Sequence, residues 1–87
     1  MIKLDNYIFK KSTNKNKKYD VYIGDKKIAS FGSIRKNGEP YEHFYDKIGL
    51  YSSYNHQDTK RRDLYYKRHN KNYGKNTPDW FSKKYLW

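Results

Sequence analysis

Apolar and polar positions alternate with period two through much of the first half of the chain. In "NYIFKK", residues 6–11, Tyr7 and Phe9 fall on one side and Ile8 on the other, the pattern of a short strand. The clearest signal is "YDVYIGDKKIASFGS". Tyr19, Val21 and Ile23 alternate with Asp20 and Tyr22, Gly24-Asp25 offers a two-residue hairpin turn, and Ile28 to Phe31 returns as a second strand. Gly32 marks a bulge or the end of that strand. After a second turn at Asn37-Gly38, "YEHFYDK" sets Tyr41, His43 and Tyr45 against Glu42, Phe44 and Asp46 and reads as a further strand. The pattern predicts an antiparallel sheet of three to four strands over residues 6–46. It is interrupted at residues 10–18, where "KKSTNKNKK" is polar, unperiodic and self-repelling and reads as a basic loop.

The period changes after residue 56. "DTKRRDLYYKRHN" predicts a basic helix over 57–69. Asp58 complements the positive end of the helix dipole, Asp58–Arg62 and Asp63–Lys67 stand as acid-before-base pairs at i,i+4, and Leu64, Tyr65 and Tyr66 give a narrow apolar stripe. Asn70 and Gly74 supply stop signals. "NTPDWFSKKYLW" then begins a second helix over 77–87, with Thr77 as cap, Pro78 at the first helical position and Asp79 beside the positive end. Trp80, Lys84 and Trp87 share one side, and Phe81 and Tyr85 the next. A helix apolar on most sides is normally buried, so this one is expected to lie on the apolar face of the sheet. The competing reading is an aromatic anchor for another protein. The predicted fold is α+β: one domain, residues 1–87, with a small antiparallel sheet followed by two short helices, the C-terminal one packed on the sheet.

Composition changes this picture in one respect. Only 34% of residues are hydrophobic and 33% are charged, which on aliphatic content alone suggests disorder, yet 20% are aromatic. Each packed ring buries roughly 150–250 Å², so a thin core built on rings is expected. With 87 residues the chain buries only about 60–65% of its unfolded surface, and its stability is marginal. The absence of cysteine excludes a disulfide framework and the usual structural zinc sites. No stretch approaches the ~20 apolar residues of a membrane span, and "MIKLDNYIFKK" lacks the apolar run of a signal peptide. An intracellular, soluble, non-secreted protein is expected.

The net charge of +11 calls for an anionic partner: nucleic acid, an anionic membrane or an acidic protein surface. The competing explanation is codon drift, since Lys, Asn, Tyr and Ile are all encoded by AT-rich codons. Drift does not account for the arginines. Three of the four in the chain fall in "HQDTKRRDLYYKRH", and six cations lie between Lys60 and Lys71. Arginine offers a planar fork to phosphate or carboxylate. The candidate nucleic-acid-binding residues are therefore Lys10, Lys11, Lys15, Lys17 and Lys18 of the basic loop, with Lys60, Arg61, Arg62, Tyr65, Lys67 and Arg68 of the helix, Tyr65 as a stacking surface. Alternatively, the arginines tie the helix to sheet carboxylates such as Asp46 or Glu42.

Chemistry other than binding has little support in the residues. The glycines are scattered, so no phosphate-cradling loop is formed. His43, His56 and His69 with Asp58 have no standard metal-ligand spacing. Asp58 and Asp63 are the only neighbouring carboxylates in the basic segment, and both suit helix pairing. No catalytic residue, metal or cofactor is expected.

Phe31-Gly32, the block Asp58, Arg61, Arg62, Tyr66, Arg68, His69 and the ending Ser82, Tyr85, Leu86, Trp87 together resemble a family of small, uncharacterised basic proteins of large DNA viruses of eukaryotes, with relatives in some phages. The resemblance spans roughly residues 19–87 and leaves out the N-terminal lysines. It implies a viral origin, a compact fold and virion association, and no established activity. The resulting expectation is a non-enzymatic protein that holds the nucleic-acid backbone without reading sequence, DNA ahead of RNA, in genome packaging or condensation within an infected cell or virion. The alternative is a minor capsid or cement protein that meets an acidic virion surface through its basic and aromatic residues.

Overall fold

The computed structural model describes all 87 residues. Four strands form one antiparallel sheet in sequential order: β1 (Ile2–Leu4), β2 (Tyr7–Lys11), β3 (Lys17–Ile23) and β4 (Lys26–Ser33). Two helices follow, α1 (Thr59–Arg68) and α2 (Pro78–Tyr85). α2 packs on the sheet against β4, giving the expected α+β architecture.

Local chemistry explains the hairpins. Asp5 and Asn6 both take positive φ, 53° and 70°, the mirror-image turn that matches strand twist, and Gly24 takes φ of 60° between β3 and β4. The pairing sets Phe9 opposite Val21 and Tyr19 opposite Phe31, which places Tyr7, Phe9, Tyr19, Val21 and Phe31 in the core. Thr77 caps α2 by accepting from Trp80 N, and Pro78 occupies the first turn. Phe81, Tyr85 and Leu86 complete the core from above, with Ile48 at its margin. Ring packs on ring throughout: Phe9 meets Tyr85 at 4.8 Å between centroids, and Phe81 stacks on Phe31 at 5.5 Å. Tyrosine hydroxyls at the rim remain polar, Tyr7 donating to Asn76 and Tyr85 to Asp5.

Three expectations about elements are corrected. The further strand is not "YEHFYDK" but β1 at the N-terminus. Residues 34–57 pair only through isolated bridges, Ile34 with Pro40 and His43 with Asn55, and hold one 3-10 turn, Ser52–Tyr54. The alternation in that segment misleads because its polar members, His43 and Asp46, are the buried ones, while Tyr41 and Tyr45 are exposed. The segment instead runs as a belt that bonds to the end of α2: Tyr45 N donates to Leu86 O and Lys47 N to Tyr85 O, satisfying carbonyls that a helix C-terminus leaves open. Second, the basic loop is shorter than residues 10–18. Lys10 and Lys11 belong to β2, Lys17 and Lys18 to β3, and Ser12 and Asn14 side chains fold the remaining residues into a tight turn. Third, α2 stops at Tyr85, so Trp87 lies beyond the helix.

Gly32 is neither a strand end nor an idle irregularity. It takes φ of +80° inside β4, and a β-carbon there would lie 2.9 Å from both Cβ and Cδ of Lys18, whose stem crosses it. Gly32→Ala is expected to destabilise by roughly 2–4 kcal/mol, combining left-handed backbone strain with overpacking against a Cβ that cannot swing away. Thermal unfolding followed by circular dichroism checks this; a melting temperature like the parent's would contradict it.

Candidate functional site

Asp58 caps α1 by accepting from Lys60 N and Arg61 N. The cap is its role; neither Asp58–Arg62 nor Asp63–Lys67 closes to an ion pair within 4.0 Å. α1 packs closely on no strand and is moored by side chains. Tyr65 stacks face to face on Trp87, centroids 4.2 Å apart and planes 6° from parallel, and stacks on His69 at 4.2 Å. Tyr66 donates to Lys83 O. Arg61 pairs with Glu42 at 3.1 Å, and the Arg62 guanidinium lies 4.8 Å over the Phe44 ring.

These contacts divide the expected binding residues. Lys60, Arg62, Lys67 and Arg68 are exposed on α1, free of any carboxylate within 4.0 Å, and Lys71 and Lys75 continue the charge along the following loop. Arg61 is exposed but engaged by Glu42, so internal bridging holds for that arginine. Tyr65 is buried against Trp87 and presents no free face for stacking, a correction to its expected role. Lys10, Lys11 and Lys15 are exposed, and Lys10 and Lys11 lie over the Tyr22 and Tyr51 rings. Lys17 is half-buried. Lys18 is fully buried, 2% exposed, and cannot reach a backbone phosphate outside the protein.

Sequence reasoning missed what surrounds Lys18. Its Nζ lies 3.0 Å from His43 Nδ1, and His43 Nε2 lies 2.7 Å from Asn55 Oδ1, which also accepts from Asp46 N. An amide oxygen can only accept, so His43 carries its proton on Nε2 and turns a lone pair to Lys18. Burial, with the Lys18 charge added, pushes His43 down to about 4 and keeps it neutral. Burial lowers Lys18 to about 8, while the Asp46 charge acts in the opposite direction. Asp46 in turn accepts from Tyr19 OH, Ile48 N and Tyr51 N. The available signal was the alternating "YEHFYDK" itself, whose buried members are a histidine and an aspartate.

Between β4, α1 and α2 a cleft of about 600 Å³ opens, lined by Lys17, Lys18, Gly32, Arg68, Leu86 and Trp87 among others. No group of three or more His, Asp or Glu side chains is placed to hold a metal ion. His43 is occupied by Lys18 and Asn55, and His56 Nδ1 accepts from Asp58 N. No helix is long and apolar enough to cross a membrane. Comparisons with protein-family models, curated proteins and solved structures gave no match to this chain.

Proposed function

We propose that this protein is a non-enzymatic, sequence-nonspecific binder of the nucleic-acid backbone. One observation carries the reading. Of twenty lysines and arginines, all but three lack a carboxylate within 4.0 Å, and all but Lys18 are at least partly exposed. A fold that leaves its cations unneutralised presents them to an external polyanion. Exposed Lys60, Arg62, Lys67 and Arg68 on α1 are the principal contacts, with exposed Lys10, Lys11 and Lys15 as further ones. Genome packaging or condensation in a large DNA virus is the proposed setting, and it rests on the motif resemblance alone.

The test is binding of a labelled duplex of about 30 base pairs, titrated across salt. Neutralising six to ten phosphates predicts a loss of roughly 10³–10⁵ in affinity between 50 and 200 mM salt, unchanged on scrambling the sequence. The triple variant Lys60→Ala, Arg62→Ala, Lys67→Ala is expected to reduce the log-log salt slope by about three, uniformly across sequences. An unaltered slope in a folded variant would remove α1 from the interface.

A second reading has its own observation. Leu64 is 55% exposed on α1 between Arg61 and Arg68, and Tyr41, Tyr45 and Tyr73 are also exposed. Apolar side chains among cations suit an acidic protein surface, as a minor capsid or cement protein would meet. A shallow salt slope with weak duplex binding would favour it.

A further inference from the structure

The outer face of the sheet carries a row of side chains that the core does not use. The register sets Lys3, Ile8, Tyr22 and Lys27 side by side across all four strands, and directly paired residues share a face. Along β2 and β3 they alternate with Tyr7, Phe9, Tyr19 and Val21, which belong to the core on the opposite side. In the next row Lys10 stands opposite Asp20, again facing outward. α2 contacts the sheet from the core side and α1 packs closely on no strand, so no helix lies over the outer face.

The solvated face of an antiparallel sheet is normally polar. Here Ile8 and Tyr22, both half-buried, occupy the middle of the row, and exposed Lys3 and Lys27 stand at its ends. Lys3 lies two strand spacings from Tyr22, roughly 9–10 Å, and Lys27 one. Lys10 is exposed too, and its ammonium lies 5.0 Å from the centre of the Tyr22 ring, so that ring face is reached from solvent. Met1, Ile8, Lys10, Tyr22, Gly24 and Asp25 line a depression of about 420 Å³ there. The charge on this face is unbalanced. Asp20 is 1% exposed and already engaged: it accepts from Ser12 Oγ, Ser30 Oγ and Thr13 N, and pairs with Lys27 at 3.5 Å. Lys3 and Lys10 have no carboxylate within 4.0 Å, and Asp25, in the hairpin turn, is the one acid lining the depression.

We propose that this face binds single-stranded nucleic acid, a base stacking on the Tyr22 ring beside Ile8 while Lys3, Lys10 and Lys27 hold the flanking phosphates. The Lys10 ammonium gives way to the base: a cation over an exposed ring is worth about two- to fivefold in an equilibrium constant, and a base stacked on an aromatic ring about 5- to 150-fold. Lys10 then turns to phosphate, a charged acceptor for its ammonium. A duplex keeps its base faces stacked on one another and offers Tyr22 nothing. This surface therefore selects a different substrate from the cations of α1, and it shares only Lys10 with the contacts proposed for duplex. An anionic lipid surface would also meet lysines around apolar side chains, but an aromatic ring set between cations within one row suits a base between two phosphates.

The test compares three labelled ligands: a thymidine strand of about twelve nucleotides, an abasic strand of the same length, and the duplex. The thymidine strand is expected to bind at least about fivefold more tightly than the abasic one, since both carry the same phosphates and only one carries bases. Equal affinities would overturn the stacking. In protein carbon-labelled on its tyrosine rings, the thymidine strand is expected to shift the Tyr22 signal saturably, and further than the abasic strand does. A Tyr22 signal unmoved by the thymidine strand would overturn the site. Tyr22→Leu keeps an apolar side chain beside Ile8 and removes the ring. It is expected to fold, to lose about 5- to 150-fold in thymidine-strand affinity and to bind duplex as the parent does, whereas Tyr22→Phe keeps both ring and affinity. Parent-like strand binding by Tyr22→Leu would also overturn the site. Should that variant fail to fold, the Tyr22 signal of the unaltered protein decides alone. Vesicles of phosphatidylserine and phosphatidylcholine that shift Tyr22 where the thymidine strand does not would assign the face to lipid instead. The two readings fail separately: a duplex that does not bind removes the α1 interface and leaves this one, and a thymidine strand held no better than the abasic strand does the reverse.

Discussion

Phe81→Ala is expected to cost about 3–5 kcal/mol and to leave little folded protein at physiological temperature. Domains of this length have total stabilities of only roughly 4–13 kcal/mol at 0.05–0.15 kcal/mol per residue. Phe81 is completely buried at the centre of the ring core. It stacks on Phe31, meets Tyr7 edge-on at 5.1 Å and Trp80 at 5.0 Å, and lies beside Phe9 and Tyr85. Few aliphatic side chains are at hand to collapse into the space, and rings joined edge to face cannot slide without losing their own pairings. Phe81→Leu preserves much of the volume and is expected to cost well under half as much. Urea unfolding of both variants checks the pair. An alanine variant with a midpoint near the parent's would mean that α2 is not what closes the core.

Asp46→Ala comes next in size, again about 3–5 kcal/mol, by a different mechanism. Asp46 is 3% exposed, and its carboxylate accepts from Tyr19 OH, Ile48 N and Tyr51 N. Each buried donor left without an acceptor costs roughly 1–3 kcal/mol. Asp46→Asn does not rescue the site, because the amide presents two donors of its own to a nest of donors. Tyr19→Phe removes a single donor and strands one other group, Leu50 N, which donates to the Tyr19 hydroxyl; it is expected to cost about 1–2 kcal/mol. Thermal melts of the three variants should rank with Tyr19→Phe mildest. A destabilisation by Asp46→Asn as small as that of Tyr19→Phe would show that the two backbone donors find other partners.

The sheet and helices were legible where local chemistry decides them. Gly24-Asp25 encodes a hairpin without reference to the rest of the chain, and Thr77-Pro78 encodes a helix start in the same way. β1 was not legible, because three residues are too few for a period and Asp5-Asn6 is a turn only through its backbone angles. The belt of residues 34–57 defeated pattern reading for a deeper reason. Period-two reasoning assumes that polar side chains face water, and here His43 and Asp46 go inside because the core already contains groups that need them: the Lys18 ammonium and the Tyr19 hydroxyl. Lys18 itself counts as solvated in any charge pattern, and only the opposing Gly32 hints that its stem lies flat. Of the candidate interface, the exposed cations of α1 could be read from the chain. The burial of Tyr65 could not, since it depends on Trp87, distant in sequence.

The hydrogen bond from Tyr85 to Asp5 joins residues eighty positions apart. The sheet is assembled from neighbours in sequence, but its inner face is covered by a helix that begins only at Pro78. During synthesis, therefore, all the strand residues are made well before their cover. Phe9, Tyr19 and Phe31 have no apolar cover until the residues of α2 have been made, so the sheet and its cover become stable together. A nascent chain halted short of Pro78 is predicted to be a substrate for chaperones and proteases.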